Sequence, residues 1–498
     1  MQKILMLPLD ERPCNLLFPK LMCTGCEDIL PILPPRELLG DKKTPANFKA
    51  LLEWLTANLA QCDAAVLSLD MLVYGGIVPS RLHHLSKAEC LERLQAVRVI
   101  KQAISKIYAF SLIMRAPAYN SSDEEPDYYA QFGRALYEWG ALKDKEARKS
   151  LTQQEQEQLQ ALKAKIPQEV LDDFAQRREV NNSINAEALT LAAEGVIDFL
   201  VIPLDDCAQF GWAAREQRGL RTRLVSEGLS HRVFLYAGAD EVGGVLLARA
   251  ANELRERTPA VYLRYSAVNG PFIVPKYEDR PLGENLKWQI AAAGGHTCAT
   301  PDEADFVLMV NAPTIGGEAM GEANLEPSQL DASYANERCL PEFVADLREM
   351  CKKKPVALAD VALANGADRE LMAMLSAQRL LGGLTSYAGW NTSANAAGTC
   401  IAHMMLELGN ANPTRDFLCL RLLEDWGYMA NVRAKAFSRL RSQGHENGEL
   451  SGCEEQLAEY VQNELQSFAE LLEGLPKAVV CKVNFPWHRL FEIGMELG

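Results

Sequence analysis

The fold class is indicated by the stretch Lys3-Ile-Leu-Met-Leu-Pro-Leu9, which ends abruptly in Asp10-Glu11-Arg12-Pro13. An apolar run of this length, without alternating polar residues, predicts a strand that is buried on both faces, as in a parallel sheet. The polar residues that follow the run mark a rim at which the strand stops. The sequence therefore predicts that polar side chains gather at one end of the sheet.

The same unit, a short apolar run followed by polar residues and a helical pattern, recurs along the chain. Eight such runs predict buried strands, at residues 3–9, 64–69, 107–113, 198–204, 232–236, 306–310, 356–359 and 383–387. Helical patterns between these runs indicate a parallel sheet, either open or closed. Because eight units match a (β/α)8 barrel, we predict an α/β fold with a TIM-like barrel. Further strands, predicted at residues 28–33 and 261–265, complicate this count.

Two regions depart from the repeated unit. Residues 141–194 are charged and rich in glutamine, with part of an apolar stripe, and predict an inserted helical segment before the fourth strand. After about residue 399 the pattern is helical again, and a last strand is predicted at residues 478–484. We therefore expect a catalytic barrel over residues 1–398, with its insertion at about 141–194, and a mostly helical C-terminal region over residues 399–498.

The composition limits the kinds of partner. The 498 residues include 51 Lys and Arg against 66 Asp and Glu, which gives a formal charge of −15, and no basic cluster suits nucleic acid. No apolar run is long enough for a membrane span or a signal peptide. Thirteen cysteines, scattered mostly in apolar stretches, predict reduced thiols in the cytoplasm. The pair in Cys23-Thr24-Gly25-Cys26 lacks a second pair at zinc spacing, and we interpret it as a turn with two incidental thiols.

Acidic residues follow the predicted strands. In a closed parallel barrel the residues just after the strands surround one cavity, which is where such enzymes carry out their chemistry. A single acid at such a position is most simply the N-cap of the next helix, but two adjacent acids exceed what one cap needs. We therefore expect a binding cavity at this rim, with the acids Asp10, Glu11, Asp70, Asp205, Asp206, Asp240, Glu241 and Asp360.

Two of the adjacent acid pairs resemble motifs of known glycosidases. The stretch Tyr236-Ala-Gly-Ala-Asp-Glu-Val242 is similar to the strand-end Gly-Gly-Asp-Glu-Val motif of family 20 β-N-acetylhexosaminidases. This resemblance implies that Asp240 orients the 2-acetamido group of the substrate and that Glu241 protonates the leaving oxygen. The pair Asp205-Asp206 resembles the Asp-Asp pair of barrel enzymes that remove N-acetylglucosamine from protein. Adjacent carboxyls divide into a protonated donor and an ionised partner when their environments differ.

The leading hypothesis is therefore a glycoside hydrolase that acts on a β-linked N-acetylhexosamine or a related amino sugar, as a small molecule or in an oligosaccharide, without a cofactor. Its predicted catalytic residues are Asp240, Glu241, Asp205 and Asp206. Its predicted substrate-binding residues are Asp10, Arg12, Asp70, Tyr74, Arg115, Asn311, Trp390 and Asn391. Two alternatives stay open: a lyase, isomerase or hydrolase of a small polar metabolite with a divalent metal on Asp10, Asp70 and Asp206, and a non-catalytic sugar-binding module. The sequence predicts no oligomeric state.

Over nearly its whole length the chain is identified as a member of a bacterial family, domain of unknown function 4127. The residues that carry this resemblance are Pro8-Leu-Asp-Glu-Arg-Pro13, Ser68-Leu-Asp-Met-Leu-Val-Tyr-Gly-Gly76, Leu204-Asp-Asp206, Gly238-Ala-Asp-Glu241, Ala364-Asn-Gly-Ala-Asp368, Tyr387-Ala-Gly-Trp-Asn-Thr392 and Phe485-Pro-Trp487. One departure is His488, where an Arg or Lys is expected. The family implies no activity, so the predicted function rests on the chemistry of the site.

Overall fold

The computed structural model describes residues 1–410, 414–445, 450 and 452–498. In these ranges, thirteen strands form two parallel sheets and one antiparallel pair. The strands are β1 (Gln2–Leu7), β2 (Ile29–Ile32), β3 (Ala64–Ser68), β4 (Lys106–Phe110), β5 (Phe199–Leu204), β6 (Val233–Ala237), β7 (Ala260–Tyr265), β8 (His296–Thr297), β9 (Phe306–Asn311), β10 (Val356–Asp360), β11 (Ser386–Ala388), β12 (Val480–Asn484) and β13 (Gly494–Leu497).

The two parallel sheets share one topology. The first has the strand order β2-β1-β3-β4-β5-β6, and the second has the order β8-β7-β9-β10-β11. When the strands of each sheet are numbered from its own first strand, both sheets follow the order 2-1-3-4-5, and the first sheet adds a sixth strand. This is the doubly wound order of flavodoxin-like folds, which bind ligands beyond the carboxyl ends of their strands.

The predicted α/β class with parallel sheets is confirmed, and a strand lies at each of the predicted positions. A single closed barrel is not seen among the described strands, because both sheets end in open edge strands, β2 and β6 in the first and β8 and β11 in the second. The two additional strands explain the difference. The strand near residue 30 is β2, which extends the first sheet beyond β1, and the strand near residue 262 is β7, which begins the second sheet.

In the described part of the chain, twenty α-helices connect and cover the sheets. They are α1 (Pro13–Leu16), α2 (Phe18–Met22), α3 (Phe48–Leu59), α4 (Leu69–Tyr74), α5 (Ile77–Leu82), α6 (Lys87–Leu94), α7 (Ala96–Ala103), α8 (Tyr129–Arg148), α9 (Gln153–Lys165), α10 (Gln168–Ala193), α11 (Trp212–Ser226), α12 (Val242–Leu254), α13 (Leu282–Ala292), α14 (Ser333–Asn336), α15 (Leu340–Cys351), α16 (Arg369–Ala377), α17 (Ser393–Glu407), α18 (Asp416–Arg421), α19 (Arg433–Ser442) and α20 (Glu454–Ala469). A π-helical stretch, Leu422–Val432, joins α18 to α19. Short 3-10 helices lie at Arg36–Leu38, Gly270–Phe272, Gly317–Ala319, Pro327–Gln329, Leu381–Gly383 and Pro486–His488.

Helix α12 joins the two sheets. It packs against β1, β3 and β4 of the first sheet and against α17, which in turn covers β10 and β11 of the second sheet. The apolar side chains along this contact form one continuous core, and the other face of the first sheet has a core of its own under α3, α7 and α10. Helix α12 starts at Val242, just after the end of β6.

The helices between β4 and β5 have an apolar core of their own in addition to the contact of α10 with the first sheet. Helices α8, α9 and α10 occupy this connection and enclose a small apolar core that includes Phe174 and Trp212. The division of the chain at residue 398 stays a prediction. None of the helices in the described ranges combines the length and the apolar character that crossing a membrane requires.

Candidate functional site

A cavity of about 310 Å³ lies where the carboxyl ends of the two parallel sheets meet. Its wall contains residues that follow β1, β5 and β6 of the first sheet and β10 and β11 of the second. Doubly wound sheets bind ligands at this edge, so the cavity is the candidate site. Its charged wall residues are Arg12, Arg81, Arg115, Asp123, Glu124, Glu125, Asp205, Asp206, Asp240, Glu278 and Arg489. Its uncharged wall residues include Tyr119, Tyr277, Asn365, Asn391, Thr392, Asn395 and Phe491.

Arg12 connects the ends of β1 and β6. Its Nη2 donates to Asp10 Oδ2 at 2.6 Å and to Asp240 Oδ1 at 2.5 Å. Asn15 Nδ2 donates to the same two carboxylates, at 2.9 and 3.0 Å. All four side chains are buried, so the carboxylates depend on these donors for their hydrogen bonds. Arg12 and Asn15 therefore fix the position of Asp240 at the cavity wall.

Trp487, near the C-terminus, packs against Arg12. The Arg12 guanidinium carbon lies 4.4 Å from the centroid of the Trp487 ring, a distance at which cation–π attraction operates. The indole Nε1 of Trp487 donates to Glu11 Oε1 at 2.7 Å. Burial and the neighbouring Asp10 raise the pKa of Glu11. Trp487 thus supports both Arg12 and Glu11 just after the end of β1.

A second group of ion pairs holds the two aspartates that follow β5. Arg81 Nη2 donates to Asp205 Oδ2 at 2.7 Å, and Arg115 Nη1 donates to Asp206 Oδ2 at 3.2 Å. Glu124 accepts from both arginines, at 3.0 and 3.1 Å. Burial alone would raise the pKa of Glu124, but the arginines around it lower that pKa well below the usual range.

Asp206 differs from Asp205 in its surroundings. A quarter of its side chain is open, and the residue lines the cavity. Burial and then repulsion from Asp205 raise the pKa of Asp206 to about 6, although Arg115 and Arg81 oppose the shift. Asp206 is therefore mostly ionised at neutral pH and accepts a proton just below it, which suits a general base.

Glu278 is a buried carboxyl of the cavity wall that has no ion pair within the described residues. Neither of its carboxyl oxygens makes a hydrogen bond of normal geometry there. Burial raises the pKa of Glu278 to about 8, although the nearby Ala394 backbone N–H and Arg280 oppose the shift. At neutral pH this side chain therefore holds a proton at the edge of the cavity, as a general acid must.

The second sheet contributes amide side chains to the wall. Asn365 has a φ of 60°, and its Nδ2 donates to Glu322 Oε2 at 2.7 Å. Asn395 lies in the first turn of α17, where its backbone N–H donates to the Thr392 hydroxyl at 3.2 Å. The side-chain oxygens of Asn365 and Asn395 are buried without a partner in the part of the chain that the structure describes. Each of these oxygens thus lacks the hydrogen bond that a buried acceptor normally makes.

The structure brings half of the predicted site residues to the cavity. The wall includes Arg12, Arg115, Asp205, Asp206, Asp240 and Asn391. The remaining six lie behind the wall, and they are Asp10, Asp70, Tyr74, Glu241, Asn311 and Trp390. Asp10 acts on the cavity indirectly, because it holds Arg12.

Glu241 is not part of the cavity wall, and its side chain contacts α13 and α17. Its Oε2 accepts from the Ala239 backbone N–H at 2.9 Å, and its Oε1 accepts from Gln289 Nε2 at 3.2 Å. A methyl group built at Gly398 would lie 2.2 Å from Glu241 Cγ, which shows how closely α17 packs on this side chain. Burial raises the pKa of Glu241 to about 7. Its position does not place the carboxyl against a ligand in the cavity.

Two predicted binding residues of the first sheet, Asp70 and Tyr74, contact other parts of the protein and do not line the cavity. Asp70 Oδ2 accepts from the Leu112 backbone N–H at 2.9 Å, which connects the start of α4 to the segment after β4. Burial raises the pKa of Asp70 to about 7. Tyr74 stacks on His83, with ring centroids 4.6 Å apart.

Two predicted residues of the second sheet also lie within the protein. Asn311 Nδ2 donates to Asp360 Oδ1 at 2.8 Å and to Asp368 Oδ2 at 3.1 Å. These bonds connect the ends of β9 and β10 to the start of α16. Trp390 packs against Phe491, with ring centroids 6.0 Å apart, and its neighbour Asn391 is the residue that reaches the cavity.

Several charged wall residues were missed because they do not follow a strand directly. Arg81 lies in α5 and Arg489 lies near the C-terminus. Glu124-Glu125 and Glu278-Asp279 are adjacent acid pairs in loops. Two adjacent acids served to predict site residues at the strand ends. The same criterion also selects these pairs when it is applied to loops.

The three acids considered as metal ligands are held apart by different partners. Arg12 and Asn15 bind Asp10, the Leu112 N–H binds Asp70, and Arg115 binds Asp206. Within the described residues, no group of three or more His, Cys, Asp or Glu side chains is placed to hold a metal ion. The donor set therefore does not fit the metal-dependent alternative.

The sequence model of a family described as "Protein of unknown function (DUF4127)" matches residues 4–496. The chain belongs to this family. The match covers both parallel sheets and the antiparallel pair of the DUF4127 fold, so the cavity is built entirely within the matched residues. No curated protein matches the chain, and no solved structure matches it.

Proposed function

We propose that this DUF4127 protein is a glycoside hydrolase that acts on a β-linked N-acetylhexosamine or a related amino sugar in the cavity between the two sheets. The observation that carries the proposal is a pair of unlike carboxyls in one wall. Asp206, paired with Arg115, has a pKa of about 6, whereas Glu278, which has no ion pair in the described part of the chain, has a pKa of about 8. Glycoside hydrolysis needs one protonated and one ionised carboxyl at the scissile bond.

The proposed roles follow from these states. Glu278 donates a proton to the leaving oxygen, and Asp206 acts as the ionised base or nucleophile. Asp205 and Asp240, which Arg81 and Arg12 hold in place, accept hydrogen bonds from sugar hydroxyls or from the acetamido N–H. This assignment transfers the proton donor role from Glu241, which is not part of the wall, to Glu278, which is a residue of the wall.

The rest of the wall suits a small polar ligand. The amides of Asn365, Asn391 and Asn395 supply hydrogen bonds, and Tyr119 and Tyr277 supply flat surfaces for a sugar ring. A volume of about 310 Å³ favours a short glycoside over a polymer. The proposal does not require a closed barrel, because a cleft between two doubly wound sheets also gathers the ends of many strands.

The test is the substitution Glu278→Gln, with Glu284→Gln as its matched control. Glu284 lies in α13, is exposed and pairs with Lys287 at 2.9 Å. On glycosides with a poor leaving group, we expect Glu278→Gln to lower kcat about 10²- to 10⁴-fold, the usual contribution of a general acid. On nitrophenyl glycosides the loss should be smaller, because that leaving group needs less protonation. An equal loss on both substrates would contradict the assigned role, and no turnover by the wild-type protein on any amino sugar glycoside would contradict the proposal.

A sugar-binding module is the second candidate, because the arginines of the wall are already paired with carboxylates. Arg12, Arg81 and Arg115 each contact two or more acids. Such fixed pairs offer both donors and acceptors to sugar hydroxyls without any chemistry. Calorimetric binding of an amino sugar, unaffected by Glu278→Gln and accompanied by no product, would favour this candidate over the hydrolase.

A further inference from the structure

Cys23 and Cys26 lie at the two ends of a tight turn that follows α2. The Cys26 backbone N–H donates to the Cys23 carbonyl at 3.0 Å, and the two thiols share a hydrogen bond. In a turn closed in this way the first and fourth Cα atoms are within about 7 Å, and a disulfide needs about 4.4–6.8 Å. A disulfide between them therefore requires little movement of the backbone.

Donors around Cys26 favour its thiolate, whereas the Leu406 carbonyl oxygen, 3.5 Å from its Sγ, accepts from the protonated thiol. The hydrogen bond from Cys23 is the largest influence, and it lowers the pKa of Cys26 to about 7 against the effect of burial. Asn410 Nδ2 adds a donor at 3.7 Å from Cys26 Sγ. The same hydrogen bond raises the pKa of Cys23 well above its usual value. Cys26 is thus suited to be the attacking nucleophile, and Cys23 is suited to be the resolving thiol.

Charged groups from two other helices face this pair. Arg255, at the end of α12, contacts the Cys26 thiol and stabilises its thiolate. Asp28 holds that guanidinium through two bonds of 2.7 Å, to Nε and Nη2. Glu407, at the end of α17, opposes the thiolate.

We propose that Cys23 and Cys26 form a redox-active pair whose substrate is a small peroxide. The Cys26 thiolate attacks one peroxide oxygen and breaks the O–O bond, which leaves a sulfenic acid and releases water once the departing oxygen takes up a proton. The Cys23 sulfur then attacks the Cys26 sulfur, the S–O bond breaks, and a second water leaves. In sum, two thiols and one hydrogen peroxide give one disulfide and two waters, and two electrons pass from sulfur to oxygen.

Accessibility selects this class of oxidant. Both cysteines are 6% exposed, whereas Thr24 between them is exposed. The turn therefore lies at the surface, but its sulfur atoms are too enclosed for a bulky protein disulfide. The proposed redox role replaces the interpretation of the Cys-x-x-Cys motif as a turn with incidental thiols. It is independent of the proposed glycosidase activity.

Peptide mapping of the wild-type chain tests the proposal directly. Trypsin cleaves after Lys20 and Arg36, so both thiols fall in one peptide, residues 21–36, which has no other cysteine. After brief treatment with hydrogen peroxide at pH 7 and alkylation, we expect this peptide to be lighter by two hydrogens and unalkylated. Treatment with dithiothreitol should restore both alkylation sites, and the oxidation rate should rise through about pH 7 as Cys26 ionises.

Single substitutions separate the two roles. Cys23→Ser should leave a Cys26 sulfenic acid that dimedone traps, and Cys26→Ser should leave Cys23 unreactive at pH 7. Cys481→Ser, which removes an exposed cysteine elsewhere, should leave the disulfide in the peptide unchanged. Two alkyl groups on the wild-type peptide after peroxide treatment, or a disulfide from either cysteine to another part of the chain, would overturn the proposal.

Discussion

Glu241 provides a test that distinguishes a structural carboxyl from a catalytic one. Burial raises its pKa to about 7, from a usual value of 4.5. The folded protein therefore keeps this proton up to about pH 7, whereas the unfolded chain loses it near pH 4.5. Unfolding releases a proton between these values, so the stability that depends on Glu241 falls as the pH rises through this window and stays low above it.

The substitution Glu241→Gln removes this penalty, because an amide does not ionise. The difference between pKa values of 7 and 4.5 corresponds to about 3 kcal/mol above pH 7. The new amide keeps the bond from the Ala239 N–H, but its NH2 group replaces the oxygen that accepts from Gln289 Nε2, so its local cost is about 1 kcal/mol. We expect Glu241→Gln to be about 2 kcal/mol more stable than the wild type at pH 8 and nearly equal to it at pH 5.

Urea unfolding followed by tryptophan fluorescence at pH 5 and pH 8 measures this difference. The control is again Glu284→Gln, whose exposed side chain should change stability little at either pH. A Glu241→Gln protein that is less stable than the wild type at pH 8 would show that Glu241 is ionised in the fold, and would refute the reasoning. Hydrolase activity of Glu241→Gln should stay within a few-fold of wild type. A loss of about 100-fold or more would indicate that Glu241 takes part in the reaction.

Three further predictions concern the site and its support. Arg12→Ala should lower the free energy of unfolding by about 3–5 kcal/mol, because the buried Asp10 and Asp240 lose their cationic partner and keep only the amide of Asn15. Arg36→Ala, which breaks an exposed pair with Asp41, should cost less than about 1 kcal/mol, and equal losses in urea unfolding would count against the buried network. Gly398→Ala should lower the free energy of unfolding by about 1–3 kcal/mol, because its methyl group would lie 2.2 Å from Glu241 Cγ. The methyl group of the control Gly219→Ala would lie in open space, so this variant should be neutral or stabilising in thermal unfolding. If Asp206 must be ionised and Glu278 protonated, kcat/KM should follow a bell-shaped pH profile with limbs near 6 and 8, and Arg115→Gln should move the lower limb upward; a profile without either limb would exclude this pair.

The positions of the strands could be predicted from the sequence, but their arrangement could not. A buried parallel strand such as β9 leaves a continuous apolar run, which is visible in any sequence. The same alternation of strands and helices serves a closed barrel and a pair of open sheets. What separates them is pairing, since β1 lies between β2 and β3. Strand β8 was missed because its two residues, His296–Thr297, are exposed and carry no apolar signal.

The sequence predicted the chemical type of the site residues better than it predicted which residues they are. Acids after β5 and β6 do line the cavity, as the strand-end rule predicts. Of the adjacent acids Asp240 and Glu241, only the first lies at the wall, and a sequence carries no information about which of two neighbours turns inward. Glu278 was out of reach for another reason, because it comes from a loop between β7 and α13 that no strand-end rule covers.

The path of α12 explains why these distant segments form one site. Arg12 and Asp240 are separated by 228 positions and by three intervening strands of the first sheet, yet they form a salt bridge of 2.5 Å. Helix α12 begins just after Asp240 and packs over β1, β3 and β4 of the first sheet. The same helix packs on α17, whose first turn supplies Asn395 to the cavity. A ligand that contacts both Asp240 and Asn395 therefore binds both helices at the same end of their contact, where α12 and α17 begin, and its affinity depends on how these two helices hold the sheets together.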